Sequence, residues 1–331
     1  MPRNNFDLLR LALALTVFLF HVPVITLAPQ LSVLEWFPGN AAVQGFFVVS
    51  GFLVWMSFER SVSIADYASK RARRVIPAYV AVVLGATLAA VLLSESPISN
   101  LWSTGALKYF AAQFSTLTFL QTGFDGAFEG THWMSVNGSL WSIKVEIGCY
   151  LLVPFIAWAT HRAGWWFIAL PAYLASVAWT MGVRETLAHQ TPGMLSYFLA
   201  GATLYQYRDW LSARWRVMGP VGIGAWALCG VLPSIEPIVA PAAMAVTLTY
   251  VAVGLPCLGN AARFGDLSYG VYLAHWPILQ CLVQMHLFDR PWLGFAIATV
   301  SVVAVSSAMW HWVEKPWLRR ASHYVMSASG R

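Results

Sequence analysis

Long apolar blocks recur along almost the whole chain and are separated by short polar stretches. Ten of them cover residues 8–28, 41–58, 75–93, 141–160, 164–182, 192–207, 217–232, 237–257, 267–288 and 292–312. A helix needs about 20 apolar residues to cross a hydrocarbon core of about 30 Å. The blocks are apolar throughout and do not alternate as barrel strands do. They predict an all-α integral membrane protein, with about ten transmembrane helices in one bundle.

A weaker block at residues 104–121 is interrupted by polar side chains, and charge placement decides whether it crosses. If it does not cross, sixteen of the twenty Lys and Arg residues lie at the cytoplasmic side. The other four are Lys108, Lys144, Arg184 and Arg290. If it crosses, the two later basic clusters, which lie at residues 208–216 and 315–320, are placed on the external side of the membrane. We therefore expect residues 94–140 to be a long external segment, with 104–121 in the interface or re-entrant, and both termini to be cytoplasmic.

Composition agrees with a membrane protein. Of the 331 residues, 58% are hydrophobic and only 10% are charged, whereas soluble domains carry about 25% charged residues. The net charge of +6 follows from the cytoplasmic clusters, so no nucleic-acid partner is expected. The four cysteines are scattered and no HExxH motif occurs, so no metal site is expected. Residues 1–331 are expected to form a single transmembrane domain.

The first predicted helix carries two ionisable residues, Arg10 and His21. Their spacing of eleven residues is about three turns, which places both on one face roughly 16 Å apart along the axis. Ionisable groups within a bilayer are candidates for function. A snorkelling arginine and a hydrogen-bonded core histidine explain the same pattern about equally well.

The second and third predicted helices carry two further candidate groups. Ser50 lies among small residues that favour close helix packing, so a packing or hydrogen-bonding role is favoured over a nucleophilic one. Arg71 and Arg74 are three residues apart and share a face, a geometry suited to forked contacts with phosphate oxygens. An ordinary cytoplasmic anchor accounts for these arginines as well.

Polar residues also line one face of the fourth and of the ninth predicted helix. Ser139, Ser142 and Glu146 follow an i, i+3, i+7 spacing at the start of the fourth helix. On the ninth, Tyr272 and His275 share a face, and His275 has the same two explanations as His21. These features alone allow a transporter as readily as an enzyme.

Six short motifs, taken together and in order, resemble the membrane acyltransferase-3 family, which O-acylates bacterial surface glycans. They are Arg-x10-His (10–21), FFxxSGF (46–52), RxxRxxP (71–77), LWSxxxE (140–146), SYxxYLxHWP (268–277) and VEKP (313–316). The likeness covers the whole chain. It implies ten spanning helices with cytoplasmic ends in the bacterial inner membrane.

The resemblance also implies roles for individual residues. Arg10 and His21 correspond to the essential pair of the family, and Glu146 corresponds to its acidic residue on the fourth helix. Arg71 and Arg74 correspond to the motif that is proposed to hold acetyl-CoA at the cytoplasmic face. Ser50, Ser142, Tyr272 and His275 are supporting residues.

This sequence departs from the family pattern in two respects. Lys144 stands where a small or polar residue is commoner, and Ile147-Gly148-Cys149 replaces a bulkier stretch. Many larger members carry an extra extracytoplasmic esterase-like domain, which is not expected in this chain. We expect either that a partner, such as a polysaccharide-assembly protein, completes the transfer, or that this chain completes it alone.

The function expected from the resemblance is transfer of an acetyl or short acyl group from cytosolic acyl-CoA to a hydroxyl of a bacterial glycan. The glycan is an exopolysaccharide, a lipopolysaccharide or a lipo-oligosaccharide. Histidine is suited to accept the hydroxyl proton near neutral pH, so His21 is the expected base or transient acyl carrier. Arg10 would orient the acyl donor or balance charge, and Glu146 would orient the acceptor or a catalytic partner.

Three classes of partner are expected: the glycan or glycolipid acceptor, acyl-CoA, and membrane lipid. Acetyl-CoA is a substrate, and no permanently bound cofactor is expected. The alternative function is a transporter or flippase for a glycan or lipid that uses the same intramembrane arginine and histidine. Release of free CoA in the presence of acceptor distinguishes the enzyme from the transporter.

Overall fold

The computed structural model describes residues 4–93, 101–115, 121–129, 131–259 and 265–318. Most of these residues are helical, and none of them lies in a strand. The predicted all-α class is confirmed. Each predicted apolar block falls on a long helix. These helices are α1 (Phe6–Thr26), α2 (Gly39–Glu59), α3 (Ile64–Leu93), α5 (Trp141–Ala163), α6 (Trp165–Gly182), α8 (Thr191–Gln206), α10 (Trp215–Val231), α11 (Glu236–Thr249), α12 (Leu267–Gln284) and α13 (Pro291–Ala308).

Short helices connect or extend the long ones. They are α4 (Thr104–Phe114), α7 (Glu185–Ala188), α9 (Arg208–Ser212) and α14 (Lys315–Trp317). Within the described ranges, six segments are long and apolar enough to cross a membrane. They are Phe6–Thr26, Pro29–Glu59, Ile64–Leu93, Trp141–Ala163, Pro233–Gly254 and Pro291–Trp317. The chain is therefore a helical, multi-pass membrane protein.

In the described part of the weak block, residues 104–115 and 121, the one helix is the short α4. Its 11 residues span about 16 Å at 1.5 Å per residue, too little to cross a hydrocarbon core. Tyr79 of α3 donates a hydrogen bond to the Gln113 carbonyl at 2.9 Å, which holds α4 against α3. Parts of the predicted external segment, residues 94–100, 116–120 and 130, lie outside the described residues, as do Arg3, Arg319 and Arg320.

Helices α2 and α8 approach each other backbone to backbone. A Cβ atom added at Gly51 would clash with the Phe198 carbonyl, and one added at Gly201 would clash with the Val48 carbonyl. Close packing of this kind requires small residues at the contact. The predicted packing role of the small residues near Ser50 is therefore confirmed for Gly51.

Prolines inside two helices release backbone carbonyls that side chains then occupy. Proline has no N–H and cannot bond to the carbonyl four residues earlier. In α12, Pro277 leaves the Leu273 carbonyl without its helical donor, and Asn137 Nδ2 donates to this carbonyl at 2.8 Å. In α5, Pro154 leaves the Tyr150 carbonyl, and Tyr67 Oη donates to it at 3.0 Å. The prolines thus fix how neighbouring segments dock on these helices.

Helix α12 lies at the centre of the polar interior. It packs against α1, α3 and α13, and most of its residues are buried. By contrast, α6, α10 and α13 expose large apolar side chains such as Phe167, Val221 and Val300, as lipid-facing helices do. Beyond α13, a π-helical turn at Met309–Glu314 leads into α14 and buries Glu314, which is 2% exposed.

Candidate active site

A cavity of about 750 Å³, including its mouth, lies between α1, α2, α3, α5 and α12. Most of the predicted site residues line it, although they come from five different helices. Those present are Arg10, Ser50, Arg71, Arg74, Ser142, Glu146 and Tyr272. His21 and His275 do not line this cavity. The structure therefore gathers the predicted acyl-donor and acidic residues at one place and the two histidines at another.

A network of four charged side chains, here called the Asp266 network, borders the cavity. Arg10 Nη1 and Arg74 Nη2 both lie 2.6 Å from Asp266 Oδ2. Arg74 Nη1 lies 3.0 Å from Glu314 Oε2, and Ser268 Oγ donates to Asp266 Oδ1 at 2.6 Å. Two guanidinium groups are thus matched by two carboxyl groups. Both arginines are already held by acidic partners.

Local backbone geometry brings Asp266 into this network. The preceding residue, Gly265, has a φ of 99°, in the left-handed region that favours glycine. A Cβ atom there would also collide with the Trp310 ring. Asp266 lies just before α12, outside the helix. Burial alone raises the pKa of its carboxyl, but the Arg10 and Arg74 guanidinium groups together hold that pKa well below its ordinary value.

Sequence reasoning missed Asp266 and Glu314. Their partners are 256 and 240 residues away along the chain, so no local spacing indicated the pairing. One signal was available: buried arginines need acidic partners, and both carboxylates lie within or beside the quoted motifs. Arg74, predicted to hold phosphate, instead contacts both of these carboxylates.

Arg71 differs from Arg74 in its surroundings. It is 9% exposed and donates to Ser57 Oγ at 3.1 Å, while its Nε has no hydrogen-bond partner in the part of the chain that the structure describes. Its guanidinium lies 5.8 Å from the centre of the Tyr150 ring. Among the described residues it forms no ion pair. A buried guanidinium with spare donors can bind an anion that enters the cavity.

Glu146 connects α5 to α2 on the cavity wall. Its Oε1 accepts hydrogen bonds from Ser50 Oγ at 2.7 Å and from Tyr150 Oη at 2.6 Å. Ser50 thus has the hydrogen-bonding contact that its sequence context favoured. The arrangement presents a carboxylate and a hydroxyl to the same space as Arg71.

Ser142 and Tyr272 form the next polar contact along the cavity. Their hydroxyl oxygens lie 2.5 Å apart. Nearby, Ser139 Oγ donates to Asn137 Oδ1 at 2.7 Å. The predicted polar face is therefore divided: Ser139 lies in the turn before α5, Ser142 contacts α12, and Glu146 contacts α2.

His21 and His275, here called the histidine pair, meet between α1 and α12. His21 Nδ1 lies 3.0 Å from His275 Nε2, and His275 Nδ1 lies 3.1 Å from the Val271 carbonyl oxygen. His275 is 0% exposed, whereas His21 is partly exposed. The Tyr272 ring, which also lines the cavity, is centred 6.0 Å from the His275 ring. One residue therefore borders both places.

The segment at residues 131–140 contacts both helices that carry the histidine pair. Trp133 Nε1 donates to the Val24 carbonyl of α1 at 2.9 Å, and Gln280 of α12 donates to the Ser135 carbonyl at 3.1 Å. The Trp276 ring meets the His21 ring edge to face at 5.1 Å. These contacts join the segment to both helices that carry the histidines.

Comparison with known proteins identifies the family. Residues 3–311 match the acyltransferase domain family. The chain is 28% identical to nodulation protein 10 of Rhizobium leguminosarum bv. viciae, over 98% of this chain and 95% of that protein. It is 26% identical to the O-acetyl transferase of Shigella phage Sf6, over 96% of this chain and 97% of that one.

A third relative is the exopolysaccharide production protein ExoZ of Rhizobium meliloti, which is 28% identical over 85% of this chain and 90% of its own length. No solved structure matches the chain. Since the family match covers nearly the whole sequence, the chain belongs to the acyltransferase family and is a membrane acyltransferase.

Proposed function

We propose that this protein is an O-acetyltransferase that moves an acetyl or short acyl group from cytosolic acyl-CoA to a hydroxyl of a bacterial glycan. The observation that carries the proposal is the cavity of a chain of the acyltransferase family. It is lined by Glu146, by Ser50 and by the Arg71 guanidinium, which forms no ion pair with a described residue. Relatives named as an O-acetyl transferase and as an exopolysaccharide production protein support the reaction and the acceptor class.

In this proposal, Arg71 is the main contact for the anionic part of the acyl donor. It is buried, lines the cavity and has an Nε–H donor that no described residue satisfies. Arg74 lines the same cavity but is held by Asp266 and Glu314. We therefore assign phosphate binding mainly to Arg71. Arg10 and Arg74 shape the wall and place their positive charge beside the acyl donor.

The proposed topology has ten spans, with residues 94–140 external and both termini cytoplasmic, in the bacterial inner membrane. The placement of sixteen of the twenty basic residues on one side supports it. Arg71 then lies at the cytoplasmic boundary, where acyl-CoA is present. His21 lies farther along α1, roughly 16 Å from the level of Arg10, toward the external segment.

The proposed chemistry uses His21 as the base. The sugar O–H bond breaks, its proton passes to His21, and the oxygen forms a C–O bond with the thioester carbonyl carbon. The C–S bond then breaks, and the CoA thiolate leaves with the electron pair. Alternatively, His21 carries the acyl group transiently. In either case, Glu146 orients the acceptor or a catalytic partner through its contact with Ser50.

The test is thioester turnover by the purified protein in phospholipid vesicles. Acetyl-CoA and a bacterial exopolysaccharide are supplied, free thiol is followed with a thiol reagent, and the glycan is weighed by mass spectrometry. We expect thiol release that depends on the glycan, and one acetyl mass added per thiol. Passage of glycan across the vesicle membrane without thiol release would establish the transporter alternative instead.

The acceptor itself is best identified in cells. Surface glycans from a wild-type strain and a deletion strain are compared by mass spectrometry. We expect a loss of acetyl or short acyl groups from one class of glycan in the deletion strain. Polysaccharide-assembly proteins encoded nearby would then be the first candidates for partners.

A further inference from the structure

We infer that His275 is a positioning residue that fixes the tautomer of His21 and leaves Nε2 of His21 unprotonated. From the sequence, each histidine could be either a hydrogen-bonded core residue or a functional one. The family match assigns no role to the contact between them. The inference concerns a proton position, and its catalytic meaning rests on the proposed function.

The argument begins at the buried end of the pair. A backbone carbonyl can only accept a hydrogen bond. His275 Nδ1, which lies 3.1 Å from the Val271 carbonyl oxygen, must therefore carry a proton. A neutral imidazole has one N–H group. Nε2 of a neutral His275 is consequently an acceptor.

The same reasoning then applies to His21. Its Nδ1 lies 3.0 Å from the accepting Nε2 of His275, so Nδ1 of His21 must be the donor. The ring planes are 16° apart and the ring centres lie 5.1 Å apart, which is farther than the two facing nitrogens. The rings therefore meet edge to edge, as a hydrogen bond requires. The lone pair of His21 is left on Nε2.

The surroundings favour a neutral pair. His275 is 0% exposed, and the pair lies against the rings of Phe18, Phe20 and Trp276. In the part of the chain that the structure describes, no carboxylate forms an ion pair with either histidine. An unpaired charge in such a place is costly. His21 is the partly exposed histidine of the pair, so a glycan hydroxyl can reach His21 but not the fully buried His275.

This arrangement gives His275 a defined task during transfer. When the O–H bond of the glycan hydroxyl breaks, the proton binds Nε2 of His21. Nδ1–H of the resulting imidazolium remains hydrogen-bonded to His275. No proton needs to leave His275. Without Nε2 of His275, the form of His21 that is protonated on Nδ1 loses this hydrogen bond. The form protonated on Nε2, in which the proton blocks the lone pair needed for catalysis, then gains population. His275 thus acts through His21 and does not contact the reacting atoms.

The first test measures the tautomer directly and does not depend on activity. Full-length protein containing 15N-histidine is reconstituted in lipid nanodiscs, and ring nitrogens are correlated with ring protons. The His21 signals are identified by their loss in His21→Gln. We expect a protonated Nδ1 and an unprotonated Nε2. A protonated Nε2 in the wild-type protein would overturn the inference, even if acetyl transfer were confirmed.

The second test compares two substitutions of His275. Gln can place an accepting carbonyl oxygen near the position of Nε2, whereas Leu fills similar space without an acceptor. We expect His275→Leu to lower kcat roughly 100-fold, with an unchanged KM for acetyl-CoA, and His275→Gln to recover a large part of that loss. Wild-type kcat in His275→Leu, or an equal loss in both variants while His21 keeps its tautomer, would refute the positioning role. A wild-type protein that turns over no acetyl-CoA would refute the proposed function alone.

Discussion

The two ends of α1 bury polar side chains in different ways. Near its start, Arg10 belongs to a network of charges in which two arginines are matched by Asp266 and Glu314. Near its end, the neutral imidazole of His275 lies 3.0 Å from Nδ1 of His21. Helix α12, or the residue just before it, supplies a partner at each end.

The difference shows how the same pair of helices serves two environments. Charges can be kept where several segments converge and supply opposite charges, because pairing compensates for the loss of water. Farther along α1, no described carboxylate forms an ion pair with His21 or His275, which favours a neutral hydrogen-bonded pair. A catalytic base that must gain a proton only during the reaction is better placed among neutral groups, as His21 is, than among fixed charges.

The largest expected effect is a loss of catalytic activity on substitution of His21, near the end of α1. His21→Ala should abolish acetyl transfer, and His21→Gln should reduce kcat by at least about 100-fold, because an amide cannot take up a proton as a base does. Transfer is measured in vesicles with acetyl-CoA and glycan. Membrane insertion at wild-type levels is the control for folding. Substantial turnover by the Gln variant would make His21 a structural residue.

Substitutions in the Asp266 network should mainly lower the stability of the folded protein. Asp266→Asn leaves Arg10 and Arg74 facing a neutral amide, and breaking a buried pair costs roughly 3–5 kcal/mol. We expect a clearly lower Tm in detergent. Asp125→Asn, at an exposed position, is the matched control and should leave Tm unchanged. An unaltered Tm in Asp266→Asn would show that the network does not hold the helices together.

Low pH tests the same network without mutation. The Asp266 carboxylate has a lowered pKa in the folded protein, so its stabilisation is complete above the unfolded value of about 3.9 and is lost as pH falls below it. As pH falls from about 4 to about 2, wild-type Tm should therefore fall more steeply than that of Asp266→Asn. Parallel Tm curves would contradict this assignment.

The arginines of the RxxR motif sharpen the comparison further. Arg71→Lys loses the planar fork of the guanidinium, and we expect the KM for acetyl-CoA to rise roughly tenfold or more, with Tm unchanged. Arg74→Lys should lower Tm as well, because Arg74 contacts two carboxylates. Arg73→Lys, one residue off that face, is the control. Equal small effects at all three positions would leave the acyl-donor site unassigned.

The smallest effect is expected at Ser50. Ser50→Ala removes one of the two hydroxyl groups that donate to Glu146, a loss of about 1 kcal/mol or roughly fivefold in kcat. Ser212→Ala, on the exposed helix α9, should have no effect. A loss of 100-fold or more in Ser50→Ala would instead indicate that the hydroxyl takes part directly in the reaction.

Much of this architecture could be predicted from the sequence, because apolar runs directly determine membrane helices. The prediction that Arg10 and His21 share a face agrees with their contacts, since Arg10 binds the residue that precedes α12 and His21 contacts α12 itself. The acidic partners could not be predicted. Hydrogen bonds between residues more than two hundred positions apart depend on which helices are neighbours, and single-helix periodicity contains no such information.

The π-helical turn at Met309–Glu314 holds one residue more than an α-helical turn would. The extra residue is taken up within the turn, so Glu314 keeps the angular position that it would have in an α-helix one residue shorter. Trp312 is 80% exposed, and its deletion is expected to return the segment to α-helical geometry while the Glu314 carboxylate still faces Arg74. At this point of the chain, the network therefore tolerates a change of length more readily than the loss of one of its charged side chains.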